Sequence, residues 1–426
     1  MSNLRRQGAW AVIDQVLSSG TNFVPSLLMA RVLGPRGYGT FSLAFLAWFG
    51  ALTLVRSALM QPYTLAASAT DGEAWRDITR SASGAVILGG AAWGGVFAIV
   101  AAIAGPSSAL GRSFLVIALL APGLALQEFW RVASFAASRA KSAAVNDGYW
   151  ALGQIVAFGI LLTVGRATAP ECLLAWGAGA WAAAVLGAVQ LSVVPRIDLA
   201  AVRWARKWGR VGAWFTLASG GYAASMYSVA VIVSAQFERA AVGLFRIVQL
   251  LFGPVQLLTI AGESVFMPHL VRVVRRSGDT GLGLVVRYSL LMAGIVAVYG
   301  MVLVAAAHLV LVTFFGAAFA SAGALVLPMV ISNAIDASCS GADAHLRVRE
   351  MGSRIATIQV TSSVVRVGAV VVLARADGLR GAVWGLVVGS AVNAAAYWSQ
   401  AILVSSRETE RAGVLRPSAG ASATPF

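Results

Sequence analysis

The chain has 426 residues, of which 58% are hydrophobic and 12% are charged, whereas a soluble globular chain carries roughly a quarter charged residues. This composition excludes an ordinary soluble domain, and two cysteines are too few for a disulfide-stapled scaffold of this size. The net charge of +15 is spread over short segments between apolar runs, so we expect a membrane surface and no nucleic acid as partner. The sequence therefore predicts an all-α polytopic membrane protein.

Apolar runs of the length that a membrane requires follow one another along the chain. A helix crosses a bilayer core with about 20 apolar residues. We predict twelve spans, at residues 10–33, 41–60, 84–105, 113–135, 149–165, 172–194, 211–237, 243–267, 288–307, 320–339, 355–374 and 381–404. Between the ninth and tenth spans, Gly316 is expected to break the helix and form the turn.

The loops differ in basic charge. One alternate set of loops, together with both termini, carries 21 Lys and Arg residues, whereas the opposite set carries 7. Cytoplasmic loops retain Lys and Arg, so this bias predicts a multi-pass protein of the cytoplasmic membrane with both termini in the cytoplasm. The even number of spans agrees with that orientation.

The two halves of the chain resemble each other. A shift of 204 residues superposes the letters GAW at 8–10 on 212–214, and Gly39 and Phe41 on Gly243 and Phe245. The shift preserves the order of the spans, which indicates two six-helix lobes related by an axis along the membrane normal. The predicted domains are an N-terminal lobe at 1–195, a basic cytoplasmic linker at 196–210, a C-terminal lobe at 211–406 and a disordered cytoplasmic tail at 407–426.

Three short segments carry a family resemblance. Residues 30–41 read ARVLGPRGYGTF and resemble the A-R-x-L-G-P-x-x-Y-G-x-F turn between the first two helices of bacterial polysaccharide flippases. Residues 314–319 (FFGAAF) and 378–385 (GLRGAVWG) resemble later turns of the same proteins. These are the Wzx-like or O-antigen transporters of the multidrug/oligosaccharidyl-lipid/polysaccharide exporter superfamily.

The resemblance implies a fold and a function. It implies two six-helix lobes around a central cavity that works by alternating access. The implied substrate is a polyprenyl-diphosphate-linked oligosaccharide, which moves from the inner to the outer leaflet for cell-surface polysaccharide synthesis. Besides this glycan and the membrane lipids, glycosyltransferases and a polysaccharide polymerase are candidate partners.

Polar residues within two spans are candidates for a cavity wall. At about 100° per residue, the polar residues of the first span fall in one sector or next to it. The first span supplies Asp14, Ser18, Thr21 and Asn22, and the equivalent stretch of the seventh span supplies Tyr222 and Ser225. The alternative is that these groups only join helices by hydrogen bonds.

Arginines within apolar surroundings are candidates for binding phosphate, because a guanidinium offers planar bidentate recognition. Arg56 and Arg131 are expected in the inner third of the membrane, and Arg366 near mid-depth. The alternative is an internal ion pair. For Arg131 such a partner is visible in Glu128, three residues away on the same helix face.

Four membrane-embedded acids are candidates for ion coupling, since an ionisable residue within a span is by default a functional candidate. They are Asp14, which we rank first, Glu128, Glu263 and Asp336. A proton or sodium gradient is the candidate energy source. Pairing with an arginine of a neighbouring helix is the alternative role for each acid.

Motifs of known chemistry point away from an enzyme. The sequence has no Walker A, G-x-S-x-G or H-E-x-x-H pattern, and its three histidines lack ligand spacing. We therefore expect no cofactor, no metal site and no catalytic residue. Two alternatives to the flippase stay open: an ion-coupled drug or metabolite exporter of the same superfamily, and a membrane glycosyltransferase or polysaccharide polymerase.

Overall fold

The computed structural model describes residues 2–67, 70–165, 167–277, 281–349 and 351–414. These residues form helices joined by short turns, and no β-strand occurs among them. The predicted all-α fold class is confirmed. By their internal contacts the residues form two compact units, Met1–Leu250 with Leu309–Ala322, and Leu251–His308 with Gly323–Phe426.

The described residues up to Leu251 form eight α-helices and one π-helical turn. They are α1 (Ser2–Val55), the π-helix Arg56–Met60, α2 (Gln61–Ala67), α3 (Gly72–Ala104), α4 (Ala109–Ala136), α5 (Ala140–Val164), α6 (Ala169–Leu191), α7 (Leu199–Gln236) and α8 (Arg239–Leu251). Large side chains pack onto small ones here. A methyl group added at Gly123 would overlap the Trp181 ring, and one at Gly187 would overlap the Trp130 ring. Such large-on-small contacts let helices approach closely where lipid offers no hydrophobic drive.

The second half of the chain contributes five further α-helices. They are α9 (Gly253–Ser277), α10 (Leu282–Val310) followed by a π-helical turn (Leu311–Phe315), a 3-10 helix (Ala317–Leu325), α11 (Val326–Ser338), α12 (Ser340–Val348) and α13 (Gly352–Val414). The sequence predicts a disordered tail from residue 407, but α13 continues through Val414. Glu408 in this last part of α13 accepts two hydrogen bonds from Arg349, at 2.6 and 2.8 Å. Residues 415–426 lie outside the described part.

Eight helical stretches within the described residues are long and apolar enough to cross a membrane. They are Pro25–Ala67, Gly72–Ala104, Ala109–Ala136, Ala140–Val164, Ala169–Leu191, Leu282–Phe315, Ala317–Val348 and Gly352–Glu408. The last of them contains both the eleventh and the twelfth predicted spans, and the seventh and eighth fall on α7 to α9. The helices are therefore consistent with about twelve spans. The lobe boundary at 196–210 stays a prediction.

Glycines with positive φ divide the long helices where the sequence predicts turns. Gly34 has φ 65° and interrupts α1 between the first and second spans. Gly316 has φ 102° and ends the π-helical turn after α10, so the predicted break is confirmed. Gly378 has φ 57° within α13. Only glycine adopts a positive φ without a steric penalty, which explains why glycine occupies these turns.

The repeated glycines contact one another. A methyl group added at Gly39 would overlap the carbonyl of Arg239, and one at Gly243 would overlap the carbonyl of Pro35. Pro35 and Arg239 are themselves separated by the repeat shift of 204 residues. Each glycine therefore contacts the residue that is equivalent, under the repeat shift, to the one its counterpart contacts. Such reciprocal contacts are typical of a twofold axis. This reciprocity supports the repeat read from the sequence.

Candidate functional site

Arg56 begins a π-helical turn between α1 and α2 and is held by a carboxylate from another helix. Its Nη2 atom lies 2.6 Å from Oε1 of Glu128 on α4. The side chain of Glu128 is 9% exposed, whereas that of Arg56 is 40% exposed. π-Helical turns within α-helices often occur at functional sites. The sequence offers no partner for Arg56 in its own span, and the structure supplies one from α4.

The same carboxylate also meets Arg131. Oε1 of Glu128 lies 3.8 Å from Nε of Arg131, one turn along α4. The predicted pairing of Glu128 with Arg131 is therefore observed. Among the described contacts, two guanidinium groups share one carboxylate, so these three side chains carry a formal excess of one positive charge. We call Arg56, Glu128 and Arg131 the basic cluster.

The second unit holds an ion pair of its own. Nη2 of Arg366 lies 3.3 Å from Oδ1 of Asp336 and donates to the Ser390 hydroxyl at 3.3 Å. The side chain of Arg366 is 15% exposed and that of Asp336 is 41% exposed. A methyl group added at Gly389 would overlap the Arg366 side chain, so this glycine leaves the arginine its space. Arg366 and Asp336, predicted for different roles, are brought together.

Glu263 also has an internal partner. Nη1 of Arg347 lies 3.0 Å from Oε1 of Glu263, and Nη2 lies 2.6 Å from Oδ2 of Asp343. The side chains of Arg347 and Glu263 are 50% and 35% exposed. Glu263 therefore belongs to a partly exposed ion network that joins α9 to α12.

The predicted cavity wall lies outside the part of the chain whose side chains the structure describes. This holds for Asp14, Ser18, Thr21 and Asn22 of α1, and for Tyr222 and Ser225 of α7. Their roles in lining a cavity or coupling an ion stay predictions.

The chain is similar to known proteins in fold but not in sequence. No protein-family model and no curated protein matches this chain by sequence. Solved structures do match. One, described as the inward-facing conformation of a multidrug resistance MATE family transporter of the MOP superfamily, has 14% identity and a TM-score of 0.74, covering 94% of this chain and 99% of that one.

Further matches agree with that one. An outward-facing MATE structure has 14% identity and a TM-score of 0.58, covering 96% of each chain. A MOP superfamily transporter from Pyrococcus furiosus, described as having a binding pocket of reverse polarity that suggests a different function, has 14% identity, a TM-score of 0.59 and the same coverage. The chain has the MOP transporter fold. This likeness concerns the fold alone, and it does not distinguish polysaccharide flippases from drug exporters.

The MOP fold brings one more acid into the interior of the first unit. Asp147 on α5 is 1% exposed, and its Oδ1 atom accepts a hydrogen bond from Nε2 of Gln127 at 2.9 Å. Asn146 beside it donates to the carbonyl of Ala183 at 2.7 Å. This polar cluster joins α4, α5 and α6.

Sequence reasoning missed Asp147 because the predicted fifth span begins at residue 149, whereas α5 begins at Ala140. The polar run KSAAVNDG at 141–148 looks like a loop. A usable signal was present: Asp147, Trp150 and Gln154 follow the i, i+3, i+7 spacing of one helix face, and all three are buried.

Proposed function

We propose that the chain is a membrane transporter that flips a polyprenyl-diphosphate-linked oligosaccharide from the inner to the outer leaflet by alternating access. The observation that carries this proposal is the basic cluster. It combines two arginines with one carboxylate, and Arg56 keeps 40% of its side chain exposed. An embedded site with excess positive charge favours an anionic substrate over a cationic one.

The cluster suggests how a diphosphate is captured. Arg56 forms one close contact with Glu128, while its planar guanidinium carries five N–H donors. A phosphate that approaches its exposed side competes with Glu128 for these donors, and Glu128 retains Arg131 as a partner at 3.8 Å. The carboxylate thus stabilises the empty site and is not left unpaired when substrate binds, which would be costly in a buried position.

The proposal extends to roles that the chain's other embedded groups would play. Arg366 would bind phosphate deeper in the pathway. Four acids would be candidates for coupling transport to a proton or sodium gradient: Asp14, Glu128, Glu263 and Asp336. In this proposal the chain performs no covalent chemistry.

The second candidate function is an ion-coupled exporter of drugs or metabolites. Two observations favour it: solved MATE structures share the fold, and Asp147 is a buried acid of the first unit that accepts a hydrogen bond from Gln127. An exporter of organic cations would depend on such acids and would be indifferent to removal of Arg56.

Transport by purified protein in liposomes tests the choice between these functions. We expect Arg56→Ala to abolish nearly all transfer of a fluorescent polyprenyl-diphosphate oligosaccharide, and Arg56→Lys to retain part, because lysine keeps the charge but loses the bidentate geometry. The matched control is Arg287→Ala, which removes an exposed arginine from α10. In the same liposomes, efflux of a cationic dye should be absent.

A charge exchange separates a substrate role of Arg56 from a structural one. Arg56→Glu combined with Glu128→Arg restores an ion pair between the same positions. If both side chains are purely structural, this double variant regains both stability and transport, whereas stable protein without transport shows that Arg56 or Glu128 itself takes part in transport. Wild-type glycan transfer by a well-folded Arg56→Ala protein would exclude phosphate capture by this residue, and dye efflux without glycan transfer would support the exporter.

A further inference from the structure

The first turns of α7 form an exposed basic surface. Arg203, Arg206, Lys207 and Arg210 are all exposed, and α7 contains no acidic residue along its whole length. None of these four cations has a salt-bridge partner within the described residues. The basic surface lies on the side that the charge bias assigns to the cytoplasm.

Tryptophans alternate with these cations. Trp208 is partly exposed and Trp214 is 67% exposed. Tryptophan is enriched where a helix passes through the lipid headgroups. The segment from Arg203 to Trp214 therefore has the composition of a helix that enters the headgroup layer of the inner leaflet.

An apolar groove opens beside this surface. It has a volume of about 590 Å³ and lies between α7 and the end of α1 with the π-helical turn that follows. Leu54, Ala58 and Leu59 form one wall, and Gly209, Gly212 and Leu217 lie on the other. At Gly212 the helices touch, since an added methyl group would overlap the Ala58 carbonyl, whereas at Gly209 nothing lies within 4 Å of an added methyl group.

The basic surface and the groove are adjacent on the same helix. Arg206 follows the groove residue Ala205, and Arg210 follows Gly209. Each arginine thus stands about 100° around the helix from a groove residue, and the two arginines are one turn apart. An apolar groove next to two guanidinium groups that have no salt-bridge partner among the described residues matches a molecule that has an acyl chain and a phosphate.

We propose that this groove binds an anionic phospholipid of the inner leaflet, with an acyl chain in the groove and the phosphate on Arg206 and Arg210. Clusters of four or more Lys and Arg next to a membrane helix are typical of binding to anionic lipid. The site is distinct from the basic cluster. Arg56 pairs with Glu128 of α4, whereas Leu54 and Ala58, two residues before and after it, face α7.

Photolabelling of the full chain tests this site. The protein is placed in phosphatidylcholine nanodiscs that contain a trace of phosphatidylglycerol or of phosphatidylcholine carrying a diazirine near the end of one acyl chain. We expect adducts on the peptides that contain Leu54–Leu59 and Ala205–Leu217, with phosphatidylglycerol labelling them on the order of tenfold more than phosphatidylcholine. High salt should reduce this preference, because exposed charges are screened.

Two variants address the two halves of the site. Arg206→Ala with Arg210→Ala should remove the preference for phosphatidylglycerol, while its matched control, Arg76→Ala with Arg139→Ala, removes two exposed arginines away from the groove and should keep it. Gly209→Leu should fill the groove and lower labelling by both lipids. Its control is Gly159→Leu, at an exposed and open position of α5.

The outcomes decide the proposal. Both glycine variants gain helix propensity, and at both positions nothing lies within 4 Å of an added Cβ atom. Loss of labelling through misfolding is checked by comparing the thermal unfolding of Gly209→Leu and Gly159→Leu. Equal groove labelling by the two lipids, or unchanged labelling in folded Gly209→Leu, would overturn it. Flippase activity does not enter this test, so the site stands or falls independently of the proposed function.

Discussion

At the scale of single residues, the embedded arginines show what a sequence can and cannot reveal. Charged groups within apolar runs are visible directly, and so is the partnership of Glu128 and Arg131, because residues three apart share a helix face. The contacts of Arg56 with Glu128 and of Arg366 with Asp336 join helices distant in sequence. Only packing sets those pairs, so no spacing rule predicts them.

The acid that couples transport to an ion gradient is identified by comparing two conservative variants. We expect Asp14→Asn to leave folding largely intact, to slow transport and to flatten its dependence on pH, because the amide cannot exchange a proton. Asp147→Asn keeps an oxygen that can accept the hydrogen bond now donated by Gln127, and it serves as the matched comparison at the buried acid of α5. Transport is measured in proteoliposomes from pH 5 to pH 8.

The result assigns the role to one acid or to neither. A flattened profile in Asp147→Asn together with an unchanged profile in Asp14→Asn would transfer the coupling role to α5. Unchanged profiles in both variants would remove both acids from the coupling mechanism.

At the scale of helices, glycine positions were predictable and helix starts were less so. The segment at 30–41 and the break at Gly316 mark turns because left-handed backbone selects glycine. The 3-10 helix Ala317–Leu325 was not predictable, and the early start of α5 was signalled only by the spacing of Asp147, Trp150 and Gln154 on one helix face. In α5, tertiary hydrogen bonds stabilise a polar run that has no apolar pattern of its own.

The reciprocal contact of Gly39 and Gly243 makes a prediction at this scale. An alanine at either position would overlap a backbone carbonyl of the facing helix, and backbone cannot rotate away as a side chain can. We expect Gly39→Ala and Gly243→Ala each to lower the free energy of unfolding by about 1–3 kcal/mol, the usual cost of overpacking. The measurement is the thermal unfolding midpoint in detergent, with Gly159→Ala, at an open position, as control.

The double variant gives a sharper test of the same contact. The two glycines lie at one helix crossing, so the first alanine already separates the two helices. The second alanine should then lower the free energy of unfolding by less, and the effects of the two substitutions on stability should not be additive. Fully additive effects, or midpoints equal to that of Gly159→Ala, would contradict a shared crossing.

At the scale of the whole molecule, the class and the fold were predictable from composition, span count and internal repeat. Each property accumulates over many residues, so local errors at helix ends do not change the result. The lobe boundary at 196–210 depends on the repeat alone. Internal contacts instead group Met1–Leu250 with Leu309–Ala322, a grouping that depends on which helices touch and that no periodicity encodes.

The orientation in the membrane gives the last prediction, and it depends on the distribution of 21 basic residues against 7. Cys172 and Cys339 are free and buried, so a background without them is made first by replacing both with alanine. A single cysteine at Arg203 should then react only with reagents that enter the cytoplasm, and one at Arg375 should react with an impermeant maleimide added to intact cells. Both positions are exposed, so a lack of labelling reports the side of the membrane rather than burial. Labelling of the Arg203 site from outside would reverse the orientation, and with it the assignment of the basic surface of α7 to the inner leaflet.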